Sequence, residues 1–149
     1  MVNVKEVPAE ALISEIVNEF KSRNVEIPEW TMFLKDGKGK EKSWTQPDWY
    51  YTRLASILRK IYIKGNIGIS RMSQEYGSRQ DRGTKRYHPV QSSRFIIRYM
   101  FHALETMGYL KKDKAGRVLT PAGQALLDKA SRDAMKKAVE NNKVLEKYL

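Results

Sequence analysis

The stretch that decides the fold is residues 93–123, SRFIIRYMFHALETMGYLKKDKAGRVLTPAG. Its first half predicts a helix, since a serine can cap an apolar-rich run that a glycine closes. Two short strands around a turn are predicted next, at 109–111 and 117–119. Thr120 then caps a last helix that has a proline in its first turn. A helix, a hairpin and a helix therefore follow one another directly.

Three earlier helices are predicted outward from this stretch. The pattern of residues 8–24 predicts an amphipathic helix that a proline opens. The tetrapeptide TQPD at 45–48 resembles a capping box, and the helix that it starts is expected to run to about Ile63 and stop at a glycine. A shorter helix is predicted at 70–76.

The segment between the first two helices is expected to be irregular. VEIPEWTMF at 25–33 predicts extended chain, because a proline interrupts mixed polarity. Trp30 and Phe33 are expected to pack on the core. KDGKGKEKS at 35–43 predicts a flexible, charged loop.

The helix that begins at 45–48 is the predicted centre of the fold. Its inner stripe consists of four apolar residues, Leu54, Ile57, Leu58 and Ile61. The aromatic residues at 49–51 widen that stripe. Three basic side chains fall on the other side: Arg53, Arg59 and Lys60.

These elements predict a mainly α protein. The order helix, helix, hairpin, helix, with the hairpin directly after a basic helix, is that of a winged-helix core of the helix-turn-helix type. The hairpin is the small β wing, and an extra helix precedes the core. We expect a single domain over residues 1–149. The lysine-rich residues from about 139 to 149 are expected to fray.

The charge of the chain points to an anionic partner. The net charge is +11, and it is concentrated mid-chain. Residues 48–99 carry 11 basic and 3 acidic side chains, against 7 and 8 in residues 1–47. Eight of the eleven arginines lie in that middle part. The planar guanidinium of arginine can donate two parallel hydrogen bonds to a phosphate, which lysine cannot. This distribution therefore favours nucleic-acid binding over a general solubility role.

The most cationic segment is YGSRQDRGTKRYHP at 76–89. It has no apolar run to bury, and its glycines and proline exclude a helix. We expect a loop that is poorly ordered in the free protein and wraps phosphates when it binds.

Basic side chains on this segment and on the helices and wing around it are the predicted contacts with nucleic acid. On the helix after the loop, Arg94, Arg98 and His102 form one exposed ridge. The aromatic residues at 49–51 can stack bases, although at helical spacing such residues are more often core. The full set of residues predicted to bind nucleic acid is Trp49, Arg53, Arg59, Lys60, Arg71, Arg79, Arg82, Lys85, Arg86, Arg94, Arg98, Lys111, Lys112 and Arg117.

Several other classes of protein are excluded on composition. There is no cysteine and there are only two histidines, so thiolate metal sites are excluded and zinc or general-base chemistry has little to use. No phosphate-cradling glycine loop or serine elbow is present, and we expect neither an enzyme nor a cofactor. No run approaches the roughly 20 apolar residues that span a bilayer. A cytoplasmic protein with no membrane partner is expected.

Five segments together resemble one family. They are PEW (28–30), WYYTRLAS (49–56), YIKGNIG (62–68), MSQEYGSRQDRG (72–83) and ALETMGYLKKDKAGRVLTPAGQ (103–124). The chain resembles small-subunit ribosomal protein nineteen of archaea and eukaryotes over nearly its whole length. That resemblance implies a winged-helix core bound to small-subunit ribosomal RNA, beside neighbouring small-subunit proteins. It also implies a role in subunit assembly and RNA maturation.

The resemblance also implies where the basic surface lies. It is centred on the helix that carries Trp49, Arg53 and Arg59, and it extends to Arg98. Many members of the family have two adjacent arginines where this chain has Arg98 followed by Tyr99.

The function predicted is that of a structural, non-catalytic ribosomal protein that is a monomer when free. A winged-helix DNA-binding regulator is the first alternative. It would need to dimerise to match two half-sites and to read bases with its ridge. A winged helix that binds proteins through its aromatic residues is the second alternative.

Overall fold

A computed structural model describes residues 2–148 of the chain. Its helices are α1 (Ala9–Ser22), α2 (Trp49–Lys64), α3 (Ile69–Glu75), α4 (Arg94–Thr106) and α5 (Pro121–Asn141). Two antiparallel hairpins lie among them: β1 (Ser78–Arg82) with β2 (Lys85–Val90), and β3 (Leu110–Asp113) with β4 (Gly116–Leu119). Short 3-10 turns cover Glu29–Met32 and Lys143–Tyr148. The protein is mainly helical, as its sequence predicts.

Helix α2 lies at the centre of the core. Its predicted stripe is fully buried, and Trp49 and Tyr50 widen it at the start. Each buried leucine or isoleucine contributes roughly 1.5–3 kcal/mol. Around α2 pack α1, α5 and β4. Gly65 ends the helix with a positive φ of 75°, which glycine adopts without strain.

The second hairpin and α5 form as predicted. Leu110 pairs with Leu119, and Asp113 pairs with Gly116 across the turn. The hairpin is tied to the segment between α2 and α3, because Ile67 and Arg117 exchange backbone hydrogen bonds of 3.2 and 2.9 Å. The Thr120 hydroxyl accepts the Gly123 N–H at 3.2 Å and donates to the Gly108 carbonyl at 2.6 Å. A single side chain therefore caps α5 and closes the end of α4.

The first hairpin corrects the prediction of a disordered loop at 76–89. Ser78 pairs with Val90 and Gln80 with His88, and the register shifts between Gln80 and Arg82. In the turn, the Asp81 carboxylate accepts the Gly83 N–H at 2.9 Å. This Asx-type turn stabilises the hairpin locally, although the segment lacks the apolar alternation that usually marks a strand. The exclusion of a helix was right, but the segment is paired strand.

Three smaller predictions are also wrong. Thr45 does not cap α2, which begins at Trp49 without any side-chain cap hydrogen bond. Residues 25–33 are not extended throughout, because Glu29–Met32 forms a 3-10 turn. Phe33 does not pack on the core, since 80% of its surface is exposed. Trp30 does pack against the core.

The double role of Thr120 generates a stability prediction. Thr120→Ala should lower the free energy of unfolding by about 1 kcal/mol, since it removes an N-cap acceptor and leaves the Gly108 carbonyl without its donor. Urea unfolding followed by far-UV circular dichroism measures the change. Thr84→Ala, in the exposed turn of the first hairpin, is the matched control and should change stability by less than about 0.5 kcal/mol. Equal effects of the two variants would contradict the capping role.

Candidate nucleic-acid interface

The exposed first hairpin carries four of the predicted contacts. Arg79, Arg82, Lys85 and Arg86 are all exposed, and no carboxylate of the described residues lies within ion-pair distance of them. The Arg82 Nε donates to the Arg86 carbonyl at 2.9 Å, which holds that side chain along the strand pair. The hairpin therefore presents these cations on a defined backbone rather than on a disordered loop.

A lysine segment at 35–42 lies beside the hairpin and adds cations that the sequence-based prediction omitted. Lys35, Lys38 and Lys40 line one hollow together with Arg79 and Tyr87. Close packing fixes this contact, because a Cβ on Gly39 would come within 2.5 Å of the Val90 side chain. The signal was visible as four lysines in eight residues. The prediction missed these lysines because residues 1–47 as a whole carry almost no net charge.

The same segment also adjoins α4. Lys35 and Lys38 line a groove together with His88 and Arg94. Arg98 lies one turn further along α4, and both arginines are exposed without a described carboxylate partner. We call the surface formed by the hairpin, the lysine segment and the start of α4 the cationic face. It comprises Lys35, Lys38, Lys40, Lys42, Arg79, Arg82, Lys85, Arg86, Arg94 and Arg98.

Helix α4 is less evenly buried than its sequence predicts. The predicted ridge of Arg94, Arg98 and His102 is exposed. Phe95 and Tyr99, however, are also 51% and 40% exposed, so the helix shows an aromatic strip beside the basic one. Trp30 contacts both rings edge-on, with centroids 5.7 and 5.2 Å away.

Arg53 lies inside the protein rather than on the cationic face. Its guanidinium sits over the rings of Trp49 and Tyr76, at 5.0 and 4.0 Å from their centroids. It donates to the Asp36 carboxylate at 2.7 Å, and the two side chains are only 13% and 9% exposed. Burial raises the pKa of the Asp36 carboxyl, an effect that the neighbouring Arg53 opposes. Arg53 positions the lysine segment on α2.

Trp49 is also part of the internal packing. It is 9% exposed, and its ring stacks on Trp44 with a centroid distance of 3.6 Å and an angle of 2°. One face of the indole is thus occupied by Trp44. Arg53 lies near the same ring system, so Trp49 reaches a ligand only at its edge or through Trp44.

The remaining predicted contacts divide into paired and open side chains. Lys60 lies 3.4 Å from a Glu75 oxygen and 4.3 Å from the Tyr76 ring centroid. Arg117 is 11% exposed and bonds Glu105 at 2.8 Å, so it joins the second hairpin to α4. Arg59 is half-buried, and its Nε has no partner among the described residues. Three others are exposed: Arg71, Lys111 and Lys112.

Neither a metal site nor a membrane span accompanies this surface. Within residues 2–148, no group of three or more histidine, aspartate or glutamate side chains is arranged to hold a metal ion. No helix in the same range is both long and apolar enough to cross a bilayer.

The fold and this surface define a small, mainly helical protein with an exposed cationic face. Residues 3–137 match the model of the family described as Ribosomal protein S19e, and the chain belongs to that family. This confirms the family resemblance predicted from the five sequence segments.

Relatives from archaea and a plant share most of the chain. It is 48% identical to the small ribosomal subunit protein eS19 of Thermoplasma acidophilum and 39% identical to that of Aeropyrum pernix, with full coverage of both proteins in each case. The protein of the same name from Oryza sativa subsp. japonica is 40% identical, over 74% of this chain and 77% of its own length.

The buried Arg53–Asp36 pair generates a prediction about stability and pH. Arg53→Met should destabilise the protein by about 3–5 kcal/mol at pH 7, because it leaves the Asp36 charge buried and unpaired. Loss of the guanidinium raises the pKa of Asp36 further, so the folded variant binds a proton more readily than the unfolded chain. The loss in free energy of unfolding caused by Arg53→Met should therefore shrink as the pH falls toward the ordinary pKa of an aspartate side chain.

Urea unfolding of both proteins at pH 7 and at about pH 4.5 measures this effect. Arg98→Met is the matched control, since Arg98 is exposed and has no described carboxylate partner. It should change stability by less than about 0.5 kcal/mol at either pH. A deficit for Arg53→Met that is small, or that does not depend on pH, would contradict the internal role of Arg53.

Proposed function

We propose that this protein is a structural constituent of the small ribosomal subunit, in the cytoplasm, and that its cationic face binds small-subunit ribosomal RNA. The observation that carries the proposal is the cationic face itself, whose exposed arginines have no carboxylate partner among the described residues. The family match over residues 3–137 supports the ribosomal assignment. The proposal extends to subunit assembly and RNA maturation.

Phosphate contacts would dominate this binding. The hairpin carries three arginines and one lysine on a narrow strand pair, and the lysine segment carries four more cations beside it. Cations that release condensed counterions supply affinity without reading sequence. Their guanidinium forks favour bidentate contacts with phosphate oxygens. Lys111 and Lys112 on the second hairpin would form a separate contact.

The winged-helix arrangement is the finer proposal for the fold. It is supported by α3 and α4 packing together, with the β3–β4 hairpin directly after α4. In that arrangement β3–β4 is the wing and α4 is the helix that faces nucleic acid. The single domain with a fraying C-terminal end also remains a proposal.

The family relationship also bears on what the protein does not do. The relatives are named as ribosomal subunit proteins, which agrees with a structural role rather than an enzyme. Association with ribosomal RNA and neighbouring small-subunit proteins follows from that role, and a monomeric free state is part of the proposal. No observation favours the DNA-binding regulator, since the first hairpin and the lysine segment carry eight exposed cations and the proposed wing carries three, Lys111, Lys112 and Lys114.

Salt dependence and charge reversal test the proposed function. Binding to small-subunit ribosomal RNA should weaken steeply with salt. For each tenfold rise in salt concentration, the logarithm of the binding constant should fall by roughly 0.7–0.9 per phosphate contacted. Arg82→Glu or Arg98→Glu should weaken binding at least tenfold, because each replaces an attraction with a repulsion. Filter binding across a salt series and sedimentation with subunits in sucrose gradients measure both effects.

Arg132→Glu, on α5 and outside the cationic face, is the matched control and should bind like the wild type. Circular dichroism should show that all three variants remain folded. A flat salt dependence would overturn the proposal, as would normal incorporation of both face variants into subunits. Stronger binding to duplex DNA by a dimer would support the regulator instead.

A further inference from the structure

An open groove lies where the lysine segment, β2 and the start of α4 meet. It encloses about 930 Å³, which is toward the upper end of the size range of small-ligand sites. Phe33, Leu34, His88 and Pro89 are among the residues that line it. The groove is large enough to hold more than one side-chain-sized group. Planar or partly apolar side chains are among those that line it.

Exposed aromatic side chains lie on two of the segments that line this groove, at Phe33 and, next to Arg94, at Phe95. Phe33 is 80% exposed, and its backbone N–H bonds the carbonyl of Trp30 at 3.1 Å. Trp30 in turn holds the exposed rings of Phe95 and Tyr99 edge-on. We call Trp30, Phe33, Phe95 and Tyr99 the aromatic face. Such a grouping of exposed rings marks a binding surface rather than ordinary surface variation.

The charges around the groove identify the kind of partner. Lys35, Lys38 and Arg94 line it, and Glu41 is the only acidic side chain among the described lining residues. None of the three cations has an ion-pair partner in the described chain. A purely apolar protein segment would leave these charges uncompensated. A ligand with flat apolar groups on an anionic backbone would satisfy both the rings and the cations.

We propose that this groove and the aromatic face bind unpaired nucleotides of the RNA, with bases stacked on Phe33 and Phe95. Lys35, Lys38 and Arg94 hold the phosphates of the same segment. This inference rests on the proposed ribosomal-RNA function and adds the structural class of RNA recognised. Duplex RNA hides the faces of its bases, so only splayed, single-stranded nucleotides can stack on protein rings.

The two parts of the surface then differ in what they recognise. The hairpin cations, which project from a strand pair, contact phosphates of paired or unpaired RNA alike. The groove selects unpaired nucleotides through their bases. Substitutions in the two places should therefore change different binding preferences.

The experiment compares a six-nucleotide RNA that contains 2-aminopurine with a duplex of the same sequence. The full-length protein should quench 2-aminopurine fluorescence in the single strand on binding, because stacking on a ring quenches it. Phe33→Ala should lower the single-strand affinity by at least about fivefold and leave the duplex affinity within about twofold. Phe33→Leu keeps apolar area but lacks an aromatic ring, and it should lose nearly as much. Phe95→Leu repeats the test on α4.

Met32→Leu is the matched control, since Met32 is 82% exposed and does not line the groove. It should bind both RNAs like the wild type. Circular dichroism and urea unfolding confirm that each variant is folded, as substitution of exposed rings allows.

The outcomes separate this inference from the proposed function. If the wild type binds the duplex and ribosomal subunits but does not quench the single strand, the groove proposal is overturned and the ribosomal function stands. If Phe33→Leu binds the single strand as well as the wild type does, the ring of Phe33 does not stack on a base and the groove proposal again fails. If the wild type binds neither RNA nor subunits, the proposed function itself fails.

Discussion

The position of the cationic face depends on one buried guanidinium. Arg53 lies between the rings of Trp49 and Tyr76 and is bonded to Asp36. The backbone carbonyl of Asp36 accepts the N–H of Ser93 at 2.7 Å. A buried charge is strongly destabilising when its partner is removed, so this segment cannot detach from α2 at low cost. The pair therefore fixes α2, the lysine segment and the start of α4 in one arrangement.

The protein sorts its cations into two groups. Arg53 and Arg117 are paired inside and connect elements that are distant along the chain. The cations of the hairpin and lysine segment are exposed, and no ion pair joins them to a carboxylate of the described residues. Such a surface repels itself, and the buried core of α2 and its neighbours must offset that repulsion. An anionic partner removes the repulsion, which explains why a folded protein retains so concentrated a charge.

The helices could be predicted because their signals are local. Apolar residues recur at helical spacing in α2, and Thr120 and Pro121 mark the start of α5 in the way that caps usually do. The first hairpin could not be predicted in the same way, since its residues do not alternate between apolar and polar, and neither strand has a fully buried residue. Its stability comes from the turn at Asp81 and from packing of Val90 against Gly39, some fifty residues earlier in the chain. The prediction that Phe33 packs on the core failed for a related reason, because the sequence does not reveal whether the core has room for an aromatic side chain.

The sequence by itself determined the helical class, the second hairpin, the mid-chain concentration of charge and the family. These properties follow from residue type, short-range periodicity and motifs that occupy neighbouring positions. Only the tertiary structure decided which cations face outward, that Lys35 and Lys38 join Arg79 and Arg94, and that Arg53 does not. The reason is physical: an ion pair such as Arg53 with Asp36, 17 residues apart, depends on how distant segments pack. No local propensity encodes which charges such packing will bury.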